Sequence, residues 1–326
     1  MTHVARQPAR GAALLMAMLL LVMVVTITAG MVWQQARAVE VEAAERARTQ
    51  SSWIITGALD WARLILREDG RTQQRAGRAQ DSLDEPWATP LAEARLSTFL
   101  AADKDNNTDS GPEAFLSGRI EDAQSRWNLR NLVSLDGKEV PAERAALARL
   151  CQQAGVPGDT AELISAGLRL AWAPAKADGG ADAPLAPQRL SELEWLGIVP
   201  ATVRRLAQWV DLLPRATPVN ANTAPGEVLI AAIDGLDLGS AERLVQARQR
   251  KPFESLDDVR AQLPITIVID PSRLGVASSF FLVEGRLRME DRALVELSLL
   301  ERRDATRDFE VVVLRRERIN PAMAVR

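Results

Sequence analysis

Four oxygen-bearing side chains alternate along one short polar stretch, and they are the residues best suited to hold a metal ion. They are Asp103, Asp105, Asn107 and Asp109. Alternating carboxylates in a loop can supply the hard oxygen ligands that Ca²⁺ prefers. An EF-hand type of loop would also need Gly at its sixth position and Glu at its twelfth, where this sequence has Thr108 and Ala114. A calcium site and a solvated acidic turn therefore both stay open.

This chain has almost no histidine or cysteine that could serve in nucleophilic catalysis. The single histidine is His3 and the single cysteine is Cys151. A Ser–His–Asp or Cys–His arrangement would have to recruit His3, which lies shortly before a long apolar run. Walker, dinucleotide-binding and zinc-spaced motifs are absent from the sequence. We therefore expect a protein that is not an enzyme.

A helical pattern around a glycine-containing turn is typical of a helix-hairpin-helix unit. It runs from Asn220 through Ile233-Asp-Gly-Leu-Asp237 to Val259. In the version that binds nucleic acid, backbone N–H groups of a Gly-rich hairpin hold a phosphate. Here Asp237 stands at the second glycine position, and residues 215–263 contain six basic and seven acidic residues. A phosphate site normally has a net basic face, so we expect a module used for packing or protein contact and not for nucleic acid.

The alternative hypothesis is a membrane-anchored helix-hairpin-helix protein that binds DNA, for example during uptake. The whole chain has a formal net charge of −3, so no global basic field attracts nucleic acid. Titration of the soluble part with duplex DNA at low salt separates the two hypotheses, because saturable, salt-sensitive binding would favour DNA handling.

One long N-terminal helix is predicted from the apolar pattern. Residues Ala12–Trp33 are almost wholly apolar, and at about 1.5 Å per residue they span the roughly 30 Å hydrocarbon core of a bilayer. This run is longer than the apolar part of a secretory signal peptide. The helical pattern continues to Glu68, and arginines flank the run on both sides, so the membrane orientation stays open. Beyond the membrane, one helix face is predicted to contain Ile54, Ala58, Trp61 and Ile65.

The C-terminal part of the chain has the period of β-strands. After Phe281, the apolar Val283, Leu287 and Met289 alternate with charged residues. Two further strands are predicted at Leu294–Leu300 and Phe309–Leu314, and an earlier one near Gly118. Helical patterns fill most of the sequence between these strands. Strands that flank a helical block favour an α+β domain interrupted by an insert over two consecutive domains.

Four motifs together resemble the minor pseudopilin K family of type II secretion systems. They are Arg10-Gly-Ala-Ala-Leu-Leu-Met16, Gly118–Leu132, Leu190-Ser-Glu-Leu193 and Pro218-Val-Asn-Ala-Asn-Thr-Ala-Pro225. The resemblance implies an α+β fold in which a long N-terminal helix packs on a small antiparallel pilin-like sheet. A large all-α insert with helix-hairpin-helix or SAM-like units would interrupt it. The implied segments are a prepilin-type leader (1–11), the long helix (12–68, with 12–33 in the membrane), the first part of the pilin-like domain (69–132), the inserted helical domain (133–272) and the final strands (273–326).

The resemblance also implies processing, location and partners. A prepilin peptidase would cut between Gly11 and Ala12, and the new N-terminus at Ala12 would be methylated. The chain would be a single-pass protein of the bacterial inner membrane, with its soluble domain in the periplasm. It would stand at the pseudopilus tip with minor pseudopilins I and J and other pseudopilus subunits. There it would help to start assembly and the export of folded proteins across the outer membrane.

Position 16 distinguishes this chain from most pilin-like subunits. Those subunits have Glu at the fifth mature position, where it can pair with a neighbouring subunit's N-terminal amine. This sequence has Met16 at that position. A subunit without the acid cannot neutralise an amine ahead of it, as expected of a tip with nothing above it. The alternative interpretation is a plain anchor helix that never needed the acid.

Overall fold

The structure is a computed structural model that describes residues 10–97, 113–173, 184–289, 292–305 and 308–320. The chain divides into two units, residues 1–56 and residues 57–326. The α-helices are α1 (Arg10–Arg75), α2 (Pro141–Gln153), α3 (Thr160–Ala171), α4 (Pro200–Leu206), α5 (Gly226–Ala232), α6 (Leu238–Arg250) and α7 (Leu256–Arg260). The strands are β1 (Leu91–Arg95), β2 (Ala114–Asp122), β3 (Trp127–Asn128), β4 (Val210–Asp211), β5 (Val219–Asn220), β6 (Leu274–Gly275), β7 (Phe280–Met289), β8 (Arg292–Ala305) and β9 (Asp308–Ile319).

The first unit contains the apolar beginning of α1. The large apolar side chains from Leu14 to Val32 are between 49% and 70% exposed. The hydroxyls of Thr26 and Thr28 donate to helix carbonyls three and four residues earlier, at 2.9 to 3.0 Å. These hydroxyl groups therefore have hydrogen-bond acceptors within the helix and need none from water when the helix is in lipid. By length and composition this helix can cross a membrane, as the apolar run predicted.

Helix α1 ends at Arg75, beyond the end predicted at residue 68. The stop is at Gly77, whose φ of +66° is a left-handed conformation that favours glycine. The Arg78 N–H donates to the Gln73 carbonyl at 2.9 Å, as in a Schellman C-cap. The predicted end is wrong because a polar sequence does not stop a helix without such a cap.

Five strands form one antiparallel sheet in the order β1-β2-β7-β8-β9. Strands β2 and β7 are neighbours, paired from Ala114↔Met289 to Asp122↔Phe281, although the insert separates them in sequence. The chain leaves the sheet at the end of β2 and returns to it at the start of β7. This confirms the predicted mixed architecture of a long N-terminal apolar helix and an antiparallel sheet.

The part of α1 that belongs to the second unit packs on one face of the sheet. Its core with the sheet consists of Leu59, Ala62, Leu66, Trp87, Phe281, Val283, Leu300 and Val311. The predicted helix face of Ile54, Ala58, Trp61 and Ile65 is wrong by one residue, or about 100° around the helix. Trp61 is 47% exposed, and Ile65 only borders the core. Both sets of residues recur at helical spacing, so periodicity alone could not choose between them.

Strand β7 is buried on both faces near its beginning. On one side Phe281 and Val283 contact α1. The core on the other side consists of Phe280, Leu282, Leu299, Ala123 and Leu213. Farther along the strand, Leu287 and Met289 are buried whereas Arg288 is exposed. The predicted alternation is confirmed, because Val283, Leu287 and Met289 are all buried on one face of the strand.

The insert between β2 and β7 has a core of its own that is mainly helical. This core includes Leu147, Leu150, Ile164 and Leu168, which are fully buried. Two parallel pairings also occur, β3 with β4 and β5 with β6. The expectation of an all-α insert is wrong in this detail. Each of these strands has two residues, which is too short to produce a periodic signal in a sequence.

Leu287→Asp tests the register of the sheet. Leu287 is 1% exposed, so an aspartate there would be a buried, unpaired charge, and we expect a loss of several kcal/mol, on the order of 3–5, in the free energy of unfolding. Arg288→Gln on the same strand removes an exposed ion pair with Glu93 and should cost about 0.2–1 kcal/mol. Thermal melts of the full chain in detergent measure both. Equal melting of the two variants would show that the register is wrong.

Candidate functional site

The predicted processing residues lie at the start of α1. The helix begins at Arg10, so the Gly11–Ala12 peptide bond is in its first turn. Ala12 and Met16 are four residues apart and share one helix face, and the Met16 side chain is 70% exposed. The thioether of Met16 carries no charge and cannot neutralise an amine.

Two groups of acidic side chains have the chemistry to bind a cation. The predicted calcium ligands Asp103, Asp105, Asn107 and Asp109 lie outside the described residues, so their role stays a prediction. The second group, Asp69, Asp81 and Glu85, was not indicated by the sequence patterns. One oxygen atom from each of these three residues lies within 4.8 Å of the others. Such oxygen donors would suit Ca²⁺ or Mg²⁺.

A guanidinium group binds two of the three carboxylates of this second group. Arg302 of β8 donates from Nη1 to Asp69 at 2.9 Å and from Nη2 to the two carboxylate oxygens of Asp81 at 2.5 and 2.7 Å. Glu85 accepts hydrogen bonds from Trp87 Nε1 at 2.6 Å and from Gln73 Nε2 at 3.0 Å. We call Asp69, Asp81, Glu85 and Arg302 the Arg302 cluster. Its carboxylates all have protein partners, so the arrangement fits Arg302 as its cation and not a metal ion.

One sequence signal could have indicated the Arg302 cluster. Arg302 follows the buried Leu300 by two residues in β8, so the two side chains point to the same face of the sheet. A charged side chain on an apolar strand face must have buried partners of opposite charge. The identity of those partners was not predictable, because they come from the end of α1 and the following loop.

A second set of hydrogen bonds, the junction, joins the end of β2 to the insert. The junction consists of Asp122, Asn220, Thr223 and Ser278, all of them buried. The Asp122 carboxylate accepts from Asn220 Nδ2 at 2.9 Å. It also accepts from the hydroxyls of Thr223 at 2.6 Å and Ser278 at 2.7 Å. Asn220 Nδ2 donates in addition to the Asp81 carbonyl at 3.0 Å, so the junction and the Arg302 cluster form one connected network.

Burial raises the pKa values of carboxyl groups in the Arg302 cluster and in the junction. The pKa of Asp122 is raised to about 6, because burial outweighs its side-chain hydrogen bonds. Burial also raises the pKa of Asp69 to about 6, against the attraction of Arg302. The pKa of Glu85 is raised to about 7 by burial and by the negative charge of Asp69. The folded chain therefore binds protons at these groups more tightly than the unfolded chain does.

The helix-hairpin-helix pattern corresponds to α5, a turn and α6. Gly235 in the turn has a φ of +78°. The Asp237 carboxylate caps α6, because it accepts from the Ser240 N–H at 2.8 Å and from the Ser240 hydroxyl at 3.1 Å. The first of these bonds is the main cause that lowers the pKa of Asp237. A phosphate would need the same helix N-terminus, where this chain has a negative side chain instead.

One basic residue of the helix-hairpin-helix segment forms hydrogen bonds within the chain. Arg248 of α6 is buried and donates to the carbonyls of Ala221 at 2.7 Å and Ala224 at 2.5 Å. These carbonyls belong to the loop that follows Asn220 of the junction. The Arg248 guanidinium therefore fixes this loop and does not face a ligand outside the chain.

Relatives of this chain match it over most of its length. A family model described as "Type II secretion system (T2SS), protein K" matches residues 219–277, which contain β5, α5 to α7 and β6. A Pseudomonas aeruginosa protein named type II secretion system protein K is 30% identical over 315 residues, which is 91% of this chain and 90% of the relative. A protein of the same name from Pectobacterium carotovorum subsp. carotovorum is 28% identical over 328 residues, which is 90% of this chain and 93% of the relative.

A solved structure shares the fold. It belongs to the crystal structure of the GspK-GspI-GspJ complex from the enterotoxigenic Escherichia coli type 2 secretion system. The TM-score is 0.58 at 18% sequence identity, and the match covers 85% of this chain and 98% of that chain. At this identity the likeness shows the fold alone.

The raised pKa of Asp122 predicts an unusual dependence of stability on pH. A carboxyl group with a folded pKa of about 6 and an ordinary value of 3.8 makes its full contribution to stability below its ordinary pKa. That contribution is lost as the pH rises through about 6. Asp122→Asn should therefore reduce the loss of thermal stability of the full chain between pH 5 and pH 7.5.

The control is Asp136→Asn. A hydrogen bond from Ser134 is the main cause that lowers the pKa of Asp136 to about 2, so this group titrates below the tested range and its removal should leave the pH profile unchanged. Thermal melts at the two pH values measure both variants. If Asp122→Asn has the same pH profile as the parent chain, Asp122 is not a buried titrating group.

Proposed function

The chain belongs to the type II secretion system protein K family and is a minor pseudopilin of that system, and we propose that it forms the tip of the pseudopilus. In this role it helps to start pseudopilus assembly and the export of folded proteins across the outer membrane. It acts by binding other subunits and is not an enzyme.

The observation that supports the tip position is Met16. An ordinary pilin-like subunit uses an acid at this position to neutralise the N-terminal amine of the subunit ahead of it. Met16 lies on α1 one turn after Ala12, inside the apolar run, where an unpaired amine would be costly. A subunit without the acid cannot neutralise the amine of a subunit ahead of it, so it is best placed where no subunit lies ahead.

The proposed location follows from the apolar helix. The beginning of α1 is compatible with a single-pass anchor in the inner membrane. We place the soluble part in the periplasm, because a pseudopilus is assembled on that side of the inner membrane. Prepilin peptidase, which acts on the Gly11–Ala12 bond in this proposal, and the lipid bilayer are then early partners of the chain.

The proposed partners in the pseudopilus are minor pseudopilins I and J. This proposal is supported by the shared fold with a chain of the GspK-GspI-GspJ complex and by membership of the family. Other pseudopilus subunits follow below the tip.

DNA handling is the weaker alternative for two physical reasons. The N-terminus of α6 is already capped by the Asp237 carboxylate, which would repel a phosphate. The buried Arg248 is bonded to backbone carbonyls and is not free to contact a nucleic acid. Both observations support the use of this unit for packing.

Gly11→Val tests the processing step. We expect the mature parent chain to begin at Ala12 and the variant to keep its leader, because a branched side chain would crowd the cleft of the peptidase. Gly30→Val is the matched control, since a Cβ at Gly30 meets no atom within 4 Å and the position is far from the bond. Mass spectrometry of protein from membranes identifies the N-terminal residue. A parent chain that begins after Ala29, or that stays uncut beside an active prepilin peptidase, contradicts the proposal.

Met16→Glu tests the tip position. The new carboxylate would have no amine to neutralise at the top of the assembly, and an unpaired charge in hydrocarbon costs up to about 2.5–3.5 kcal/mol. We expect less pseudopilus assembly and less secretion of an exported protein, with a smaller effect for the uncharged control Met16→Gln. Improved secretion by Met16→Glu would show that Met16 does not mark a tip.

A further inference from the structure

The loop between α1 and β1 is joined to the end of α1 by a side-chain amide. Gln73 Nε2 donates to the Asp69 carboxylate at 3.2 Å and to the Glu85 carboxylate at 3.0 Å. Gln73 Oε1 accepts from the Gln80 N–H at 3.2 Å. We call residues 80–87 the Glu85 loop. One amide of α1 therefore holds the loop at Gln80 and at Glu85, and it places the Glu85 carboxylate beside that of Asp69.

Negative groups outnumber positive ones in the Arg302 cluster. Its three carboxylates lie within 4.8 Å of one another, and its guanidinium binds those of Asp69 and Asp81. Among the described residues, the side chains that donate to the Glu85 carboxylate are neutral, the Gln73 amide and the Trp87 indole. An ionised carboxylate without a cation is costly in such a buried place, so a carboxyl group there keeps its proton to a higher pH.

The charges around Glu85 make it a group that loses its proton near neutral pH. Burial raises the pKa of Glu85 to about 7, together with the negative charges of Asp69 of α1 and Asp81 of the same loop. Arg302 of β8 binds these two neighbours of Glu85, and Asp122 of β2 is a further negative charge near Asp81. Three elements of the second unit therefore place charges at this carboxyl group.

We propose that the Glu85 loop is a pH-sensitive contact of the fold, which stays on the end of α1 while Glu85 is protonated and detaches locally from Gln73 when that proton is lost. This inference concerns the chain itself and does not depend on the partners proposed above. Ionised Glu85 and ionised Asp69 are two like charges on one amide, and they repel each other. The contact is therefore stable at mildly acidic pH and weakens as the pH rises through neutrality.

The remaining contacts of the loop keep this opening local. Asp81 is bound by Arg302, and its N–H donates to the Val276 carbonyl at 2.9 Å. Trp87 is 1% exposed and belongs to the core between α1 and the sheet. None of these contacts uses the Glu85 carboxylate. A local opening of this kind exposes backbone N–H groups to hydrogen exchange without unfolding the chain.

Hydrogen exchange of the full chain in detergent, followed by mass spectrometry, tests the proposal. The exchange rates of the Glu85 loop are divided by the intrinsic rates of an unstructured peptide at the same pH. A carboxyl group with an ordinary pKa of 4.5 and a folded pKa of about 7 should make the loop exchange about 10-fold faster at pH 8 than at pH 6. The amides of α2 should exchange more slowly than the loop at both pH values, because the opening is local.

Three variants identify the group that controls the loop. Glu85→Gln keeps the size of the side chain and cannot titrate, so the change between pH 6 and pH 8 should disappear. Asp84→Asn is the matched control, because Asp84 is the neighbouring acid in the loop and is exposed. Asp122→Asn removes the buried carboxyl group of the junction. Both Asp84→Asn and Asp122→Asn should keep the change of about 10-fold.

Several results would overturn the proposal. If the loop of the parent chain exchanges equally at the two pH values, or only as slowly as α2, it does not open locally with pH. If the change persists in Glu85→Gln, or disappears in Asp122→Asn, another carboxyl group controls the loop. The parent chain and Asp122→Asn decide the question even if Glu85→Gln folds poorly.

Discussion

The buried guanidinium of Arg302 is the interaction on which the second unit depends. It binds Asp69 at the end of α1, Asp81 in the loop that follows, and the Ser278 carbonyl where the insert returns to the sheet. It also lies over the rings of Phe281 and Phe309, at 5.0 and 5.8 Å from their centroids. Loss of one partner from a buried ion pair leaves an uncompensated charge, at a cost of about 3–5 kcal/mol. Arg302 therefore joins the helix end, the loop and the strands at one buried point.

The insert is connected to the sheet through two neighbouring strands, and the junction opposes its rotation about this connection. The chain leaves the sheet at Asp122 and re-enters it near Phe281, and these two residues are paired neighbours. Two adjacent crossings could act as a hinge for the whole insert. The hydrogen bonds of Asp122 with Asn220, Thr223 and Ser278 oppose this, because another orientation would leave buried donors or acceptors unpaired. The junction thus fixes the orientation of the insert on the sheet.

Much of the fold was predictable, because its signals are local in the sequence. The apolar run of α1 and the alternation at Val283, Leu287 and Met289 are periodic patterns, and both were confirmed. The buried face of α1 was not predictable, because two sets of apolar residues have the same spacing and only contact with the sheet selects Leu59 over its neighbours.

The candidate site was less predictable than the fold. The motif around Asn220 indicated the family, yet its physical role depends on Asp122, which is distant in sequence. The Arg302 cluster likewise joins residues from the two ends of the second unit. Contacts of this kind have no period and no fixed spacing. An inward arginine such as Arg302 can be recognised from its strand pattern, but its partners cannot.

The apolar helix cannot choose its own neighbours in a membrane. Lipid tails are as apolar as Leu or Val, so the exposed residues from Leu14 to Val32 gain no hydrophobic free energy when they leave lipid for another helix. Selection of a position in a pseudopilus must therefore come from polar groups or from contacts outside the bilayer. Within the apolar run this chain lacks the usual acid at Met16. In the proposed assembly this missing charge determines which subunits cannot lie above this one.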